Sequence, residues 1–271
     1  MLNRARVPVT TPEQTLTGVR VFFREALAAQ DARMTALGVA SFGPVNIDPT
    51  SAQYGTILDT PKPGWSRFNL RESLQNDLQV PVFLNTDVNG ALLAEMTWGA
   101  AQNCKGVAYV TVGTGIGAGI YSRGCFLGHP SHPEFGHIRV KQHPADSDFT
   151  GNCLFHGDCL EGLASAKAIA ARFGDPASLP EHHAIWDIEA YYLAQACLSL
   201  VLTTRVERIV LGGGILLAKG LIEKVRSAYD GLQNGYVQDH ATADLIMTPG
   251  LGDDAGLKGG ILLAMNEHSP S

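Results

Sequence analysis

Residues 82–97, VFLNTDVNGALLAEMT, give the first indication of the fold. Val82–Asn85 is typical of a buried strand, and Val88–Thr97 has the composition of a helix. The polar triplet Asn85-Thr-Asp87 stands where the strand ends. Because α/β proteins hold their ligands at the carboxyl ends of sheet strands, this stretch predicts an α/β fold with a ligand site beside Asp87. On spacing alone, Asp87 is equally a catalytic carboxylate or a cap of the helix that follows it.

The same alternation of strand and helix continues on both sides of this stretch. Predicted strands are Ala36–Phe42, Val107–Val112, Gly117–Tyr121, Arg208–Leu211 and Ala243–Met247. One helix is predicted to begin at the capping box Thr11-Pro-Glu-Gln14, and another is predicted after Gly214. Three more are predicted over Leu160–Phe173, Ile185–Thr204 and Asp254–Met265. The order favours an α/β architecture in which helices cover a largely parallel sheet.

Composition excludes several classes of protein. The chain has 271 residues, a net charge of −6 and only 17% charged residues, and it contains no basic run of the kind that binds nucleic acid. It has no apolar run of the roughly 18 residues needed to cross a membrane, and because its first residues, MLNRARVPVTTPEQ, lack the apolar core of a signal peptide, we expect none. The five cysteines are an odd number, which favours free thiols or a metal site over disulfides. We therefore expect a cytoplasmic protein without nucleic-acid or membrane partners.

A segment rich in His, Cys, Pro and Gly, residues 124–162, interrupts the alternation. Within it, His143, Cys153, His156 and Cys159 supply two imidazoles and two thiolates, which are a complete tetrahedral set for zinc. Four protein ligands leave no open position, so such a zinc would be structural. The alternative is that the four residues are unrelated.

Two glycine-rich turns follow predicted strands. Thr114 lies between glycines in Val110–Gly117, where backbone N–H groups and the hydroxyl could hold a phosphate, although a simple hairpin has the same pattern. The run Leu211-Gly-Gly-Gly-Ile215 opens a helix and could contact a nucleotide there. This second run has neither a Walker A lysine nor GxGxxG spacing, so P-loop and dinucleotide-binding folds are not supported.

Three further residues could bind a sugar. Glu134 and His137 in HPEFGH, and Glu161 in CLEG, are natural partners for vicinal hydroxyls, although each could equally be an ordinary exposed side chain.

Taken together, these segments resemble the ROK family of sugar kinases, most closely its bacterial fructokinase branch. LGVASFGPV, PKPGW, NTDVNGA, VTVGTGIGAG, HPEFGH, CLFHGDC, IVLGGGI and GDDAGLKG occur in the family's order from about Val7 to Met265. The resemblance implies an actin-like (ribonuclease H-like) fold of two lobes. Residues 1–101 and the C-terminal helix 254–266 would form one lobe, and residues 102–253, including the zinc loop 124–162, the other.

The resemblance also implies roles for the residues. The expected activity is ATP-dependent phosphorylation of D-fructose at its C6 hydroxyl by a homodimer, with Asp87 as the general base, Mg²⁺ accompanying ATP and a structural Zn²⁺. The residues involved would be Gly43, Asn85, Glu134, His137 and Glu161 for the sugar, Thr114, Gly115, Gly212, Gly213, Gly214, Ile215 and Leu216 for ATP, and His143, Cys153, His156 and Cys159 for zinc.

The chain departs from the family pattern at its start. Family members open with a strand carrying Asp-x-Gly-Gly-Thr-Lys, which wraps the ATP phosphates, whereas this chain begins at MLNRARVPV, a segment similar to the family's third strand. We therefore expect the first strands of the N-terminal lobe to be missing, through a misplaced start codon or a true truncation. The alternative function is then a catalytically impaired protein that retains sugar and zinc binding. A smaller departure, Ser165-Ala-Lys167 in place of Ser-Gly-Pro, alters one nucleotide contact.

Overall fold

A computed structural model describes residues 2–237 and 240–266, which form two compact units. Unit 1 comprises the chain up to Gly90, Gly128–Ser131 and the chain from Gly256 onward, and unit 2 comprises Ala91–Leu127 and His132–Ala255. The division falls within a helix at Gly90, whereas the sequence suggested a boundary at residue 101. None of the helices in the described ranges is long and apolar enough to cross a membrane.

Unit 1 is built on a parallel pair of strands. The elements are α1 (Pro12–Gln30), β1 (Leu37–Ser41), α2 (Leu70–Leu78), β2 (Val82–Thr86) and most of α9 (Ala255–Asn266), and α3 (Asp87–Trp98) begins here. Strands β1 and β2 pair in register from Leu37↔Val82 to Ser41↔Thr86, so their carboxyl ends lie side by side. Residues 2–10 form no strand, and within the described residues β1 pairs only with β2, so the strand-like reading of the first segment was wrong.

Helix α1 begins where the sequence indicated, but its cap differs from the prediction. Thr11 is the N-cap residue, yet its side chain makes no capping hydrogen bond. Gln14 does not close the predicted capping box, because its side-chain oxygen accepts from the hydroxyl of Thr10 at 2.9 Å. Pro12 at the first helical position, which needs no N–H partner, therefore marks the start of the helix.

Unit 2 contains a five-stranded sheet in the order β5-β4-β3-β6-β7. Its elements are β3 (Gly106–Val112), β4 (Ile116–Ser122), β5 (Cys125–Phe126), α4 (Leu160–Ala164), α5 (Ala166–Phe173), α6 (Ile185–Thr204), β6 (Arg208–Gly212), α7 (Leu221–Gln233), α8 (Thr242–Leu245) and β7 (Ile246–Met247). Strands β3, β6 and β7 are parallel, while β3–β4 and β4–β5 are antiparallel. The sheet is thus mixed, because the glycine turn after β3 reverses the chain, so that β4 pairs antiparallel with β3.

Two predicted elements of unit 2 need correction. The helix predicted over Leu160–Phe173 is two helices, because Ser165 leaves helical geometry and caps α5 by accepting from the N–H of Ala168. The strand predicted over Ala243–Met247 is mostly helix α8, and only Ile246–Met247 pairs with β6. The second segment is short, and short apolar runs fit either helix or strand.

Helix α6 forms the centre of unit 2's core. Twelve of its twenty residues are buried, and all but one of these twelve are apolar or aromatic. It carries one exception, Glu189, which is fully buried and has neither carboxylate oxygen hydrogen-bonded within the described structure. Burial raises the pKa of Glu189 well above its usual range, an effect that nearby Arg172 only partly offsets.

We expect the stability cost of Glu189 to depend on pH. Above the ordinary pKa of glutamate, the unfolded chain releases this proton while the folded chain retains it, so stability falls as pH rises toward the raised folded-state pKa. The variant Glu189→Gln removes the cost and should melt at a higher temperature than the parent at pH 8, with the difference vanishing near pH 4. Thermal unfolding at both pH values checks this, with the exposed Glu223→Gln as control. An equal change at both pH values would contradict it.

Candidate functional site

Four potential metal ligands converge in unit 2. His137, Cys153, His156 and Cys159 each offer one ligand atom, and these atoms all lie within 4.8 Å of one another. The Nδ1 atom of His137 is 3.5 Å from Sγ of Cys159 and 3.7 Å from Sγ of Cys153, and Nδ1 of His156 is 3.7 Å from Sγ of Cys153. The group can therefore hold a metal ion.

The structure changes one member of the predicted ligand set. His143 is not part of the group; its Nδ1 accepts from the N–H of Ala145 at 3.1 Å, and its ring packs edge-on against Tyr191. His137, which the sequence reading assigned to the sugar, takes the place of His143. The cause is a short 3₁₀ turn, Phe135–His137, which directs His137 toward the two thiols.

Local backbone bonds shape the group. Cys153 and Gly157 exchange N–H···O=C bonds of 3.0 and 3.2 Å, which close a tight turn that carries His156. Cys159 is the N-cap residue of α4 and is fully buried, and this burial raises the pKa of its thiol. Metal binding must therefore displace a proton from Cys159.

The donor set fits zinc. Two thiolates and two imidazoles form a closed tetrahedral site, with Zn–S of about 2.3 Å and Zn–N of about 2.0–2.1 Å. In a tetrahedron of those dimensions, a sulfur and a nitrogen ligand lie about 3.5 Å apart. The observed separations of 3.5–3.7 Å match this value. The arrangement leaves no position for a reacting water, which suits a structural ion.

In unit 1, Asp87 is exposed at the carboxyl end of β2, as the first residue of α3. The cap of α3 is provided by Thr86, whose hydroxyl accepts from the N–H of Asn89 at 3.3 Å. Asn85 is held by the side-chain amide of Asn89 at 2.8 Å. Because Thr86 caps the helix, Asp87 is not needed for that role, and the prediction had overlooked Thr86. One Asp87 oxygen accepts from the N–H of Val88 at 2.9 Å.

A cation that the sequence reading overlooked faces Asp87. The ammonium group of Lys62, within the PKPGW segment, lies 3.4 Å from the ring centroid of Phe42, which directly precedes the predicted sugar residue Gly43. Partial desolvation lowers the pKa of Lys62, and the negative charge of Asp87 opposes this effect. The lysine was unremarkable in sequence because 25 residues separate it from Asp87.

The mutual effect of Lys62 and Asp87 is testable by chemical labelling. Removing the charge with Asp87→Asn should lower the pKa of Lys62 further, because only desolvation then remains. At a fixed pH of about 8.5, more of Lys62 is then uncharged, and it should react faster with an amine-directed acylating reagent. Peptide mapping by mass spectrometry measures the rate, with Lys219 of unit 2 as the internal control. A slower reaction of Lys62 would contradict the prediction.

The first glycine turn of unit 2 joins β3 to β4. It is a tight hairpin in which the N–H of Gly113 donates to the carbonyl of Gly115 at 2.9 Å, and Thr114 is exposed at its tip. Glu161 lies against this turn, because its Oε2 accepts from the N–H of Ile116 at 2.8 Å. The structure thus places Glu161 beside Thr114 and Gly115, while Glu134 is exposed just before the 3₁₀ turn that bears His137.

The second glycine turn follows β6. Gly213 has φ +95°, and a Cβ there would lie 2.3 Å from the carbonyl oxygen of Val112 at the end of β3. Only glycine fits this position. Gly214, Ile215 and Leu216 then lie in a 3₁₀ turn, Gly214–Leu217, and the helix predicted after Gly214 begins at Leu221 as α7. Because β3 and β6 are adjacent and parallel, both glycine turns lie at one edge of the sheet.

Unit 1 has parallel strands that end at a polar turn, and unit 2 has two glycine-rich turns and a closed Cys/His group. These features are those of an α/β protein. The ROK family model matches residues 1–267, and the chain belongs to the ROK family. Its fold is the actin-like fold of ROK sugar kinases. A ROK hexokinase structure from Thermus thermophilus aligns with a TM-score of 0.77 at 28% identity, over 97% of this chain and 89% of that one.

Among curated sequences, the chain is similar to proteins named fructokinase. It is 41% identical to that of Zymomonas mobilis subsp. mobilis over 271 residues, which covers 98% of this chain and 89% of the relative. It is 36% identical to that of Pediococcus pentosaceus over 263 residues, covering 97% and 89%.

Proposed function

We propose that this protein phosphorylates a hexose, with D-fructose as substrate and ATP as phosphoryl donor. The observation that carries the proposal is the exposed Asp87 at the carboxyl end of β2, in a chain 36–41% identical to proteins named fructokinase. A carboxylate in that position can take a proton from a hydroxyl group.

In the proposed reaction, Asp87 removes the proton from the C6 hydroxyl of fructose. The sugar oxygen then forms a bond to the γ-phosphorus of ATP, the bond between that phosphorus and the β–γ bridging oxygen breaks, and ADP leaves. Gly43, Asn85, Glu134 and Glu161 orient the sugar. Lys62 faces Asp87 and offsets part of its negative charge.

For ATP, we propose the turn around Thr114 and Gly115 and the run Gly212, Gly213, Gly214, Ile215 and Leu216. The exposed Thr114 hydroxyl and N–H groups of these turns can donate to phosphate oxygens at the sheet edge where both turns lie, apart from the N–H of Leu216, which donates to the carbonyl of Gly213 at 3.1 Å. Mg²⁺ bound with ATP would neutralise phosphate charge. His137, Cys153, His156 and Cys159 would hold a structural Zn²⁺. We also propose that the protein is a cytoplasmic homodimer. Light scattering of the purified protein would measure its molar mass and so test the dimer.

A substrate panel tests the proposed function. ADP release is measured with Mg-ATP and, in turn, fructose, mannose, glucose and N-acetylmannosamine, and then with GTP replacing ATP. We expect the highest kcat/KM with fructose and ATP. A higher value for another hexose would reassign the substrate, and no sugar-dependent ADP release would contradict the kinase proposal.

A further inference from the structure

Glu95, two turns along α3 from Asp87, is a fully buried acid with a complete set of partners. Its Oε2 accepts from the N–H of Ala100 at 2.7 Å and from the N–H of Gly250 at 3.0 Å, and its Oε1 accepts from the N–H of Leu251 at 3.0 Å. Hydrogen bonds to an ionised carboxylate are about twice as strong as neutral ones. The carboxylate therefore fastens two segments more than 150 residues apart in sequence.

The fastened segment, Pro249–Leu251 (the clamped loop), lies directly against the end of α3. A Cβ at Gly250 would be 2.8 Å from the backbone nitrogen of Ala100, so the two backbones are in contact with no room for a side chain. Glu95 thus sets how closely the clamped loop approaches α3.

The other side of the clamped loop packs on the second glycine turn. A Cβ at Gly212 would lie 3.0 Å from Cγ of Pro249 and 2.5 Å from the hydroxyl oxygen of Tyr109. Pro249 and Tyr109 therefore form the support on which the last residue of β6 rests. Outward movement of the clamped loop would remove the contact of Pro249 with Gly212.

We propose that Glu95 is a positioning residue for nucleotide binding: through the clamped loop, it holds the turn Gly212–Leu216 in the geometry that receives ATP. The proposal rests on the assignment of ATP to this turn under the proposed function. Glu95 itself touches neither substrate; its effect passes from its carboxylate to Gly250 and Leu251, and from Pro249 to Gly212.

The variant Glu95→Gln tests the proposal. The amide keeps the shape but replaces one acceptor oxygen with an NH₂ group, which must face a backbone N–H donor. We expect KM for ATP to rise about tenfold, as for the loss of one charge-assisted hydrogen bond, with kcat and KM for fructose within about twofold of the parent. Glu207→Gln is the matched control, because Glu207 also accepts from a remote backbone N–H, that of Lys105 at 3.1 Å, but precedes the opposite end of β6.

Amide hydrogen exchange supplies a readout that needs no activity. In Glu95→Gln, we expect faster exchange both in the clamped loop and at residues 212–216, and no change there in Glu207→Gln. Faster exchange confined to the clamped loop, or a lower melting temperature with an unchanged KM for ATP, would overturn the proposal by showing a purely structural role. If the parent does not phosphorylate sugars, the proposed function fails, whereas the exchange result still reports on the linkage between Glu95 and the turn.

A second variant covers the case in which Glu95→Gln does not fold. Pro249→Ala removes the contact with Gly212 while leaving the buried carboxylate and its three bonds intact. It should raise KM for ATP in the same direction and speed exchange at residues 212–216. An unchanged KM and unchanged exchange would overturn the proposal.

Discussion

Replacing Asp87 with asparagine should lower kcat by about 10²–10⁴-fold, the usual contribution of a general base. Asparagine retains the shape and can still accept from the N–H of Val88, but it cannot take the proton of the sugar hydroxyl. KM for fructose should therefore change little. Initial-rate kinetics with Mg-ATP measure both constants.

The matched control for this variant is Asp77→Asn, which removes a carboxylate of unit 1 that pairs with Arg20 at 2.8 Å. It should leave kcat unchanged. If Asp87→Asn turned over at the parent rate, the base would lie elsewhere and Asp87 would have only a local structural role.

Loss of the metal should have the second large effect. Structural zinc sites contribute directly to folding, with apparent binding free energies of about 10–16 kcal/mol in zinc-finger peptides. Here the ion would join the turn at Cys153 and His156 to the 3₁₀ turn bearing His137 and to the start of α4 at Cys159. We expect one zinc per chain by elemental analysis, and a marked fall in melting temperature when it is chelated.

Two histidine variants separate the ligand set of the structure from the one suggested by sequence. His137→Ala should lose the metal, whereas His143→Ala should retain one equivalent, because His143 lies outside the group. Cys125→Ser, at an exposed thiol that also lies outside it, is the control for cysteine content. The reverse result for the two histidines would restore the original assignment.

Much of the fold could be predicted from the sequence, because several strands end at polar or glycine-rich turns that are recognisable in the sequence. The apolar run ending in Asn85-Thr-Asp87 became β2 and α3, and the glycines around Thr114 became the turn between β3 and β4. The family and the fold class were confirmed by comparison. Residues 242–247 form a short, mostly apolar run, so helix and strand could not be separated there from composition, and the prediction missed the cap at Ser165 that divides one helix into two.

The site was harder to derive, because its members meet only in the folded chain. In an irregular loop, either His137 or His143 is close enough in sequence to Cys153 and Cys159 to share a metal with them. Only the path of the 3₁₀ turn decides which of the two histidines reaches the thiols. The approach of Lys62 to Asp87 and the bonds from Glu95 to Gly250 and Leu251 depend on long-range packing. No short-range pattern records such contacts.

The tip of the turn between Cys153 and His156 carries Leu154 and Phe155, whose side chains are 96% and 86% exposed. Proteolytic cleavage concentrates at exposed loop tips, where the backbone can extend into the active site of a protease. The proposed zinc, bound by Cys153 and His156, would reinforce the backbone hydrogen bonds that close this turn, so we expect it to slow cleavage there.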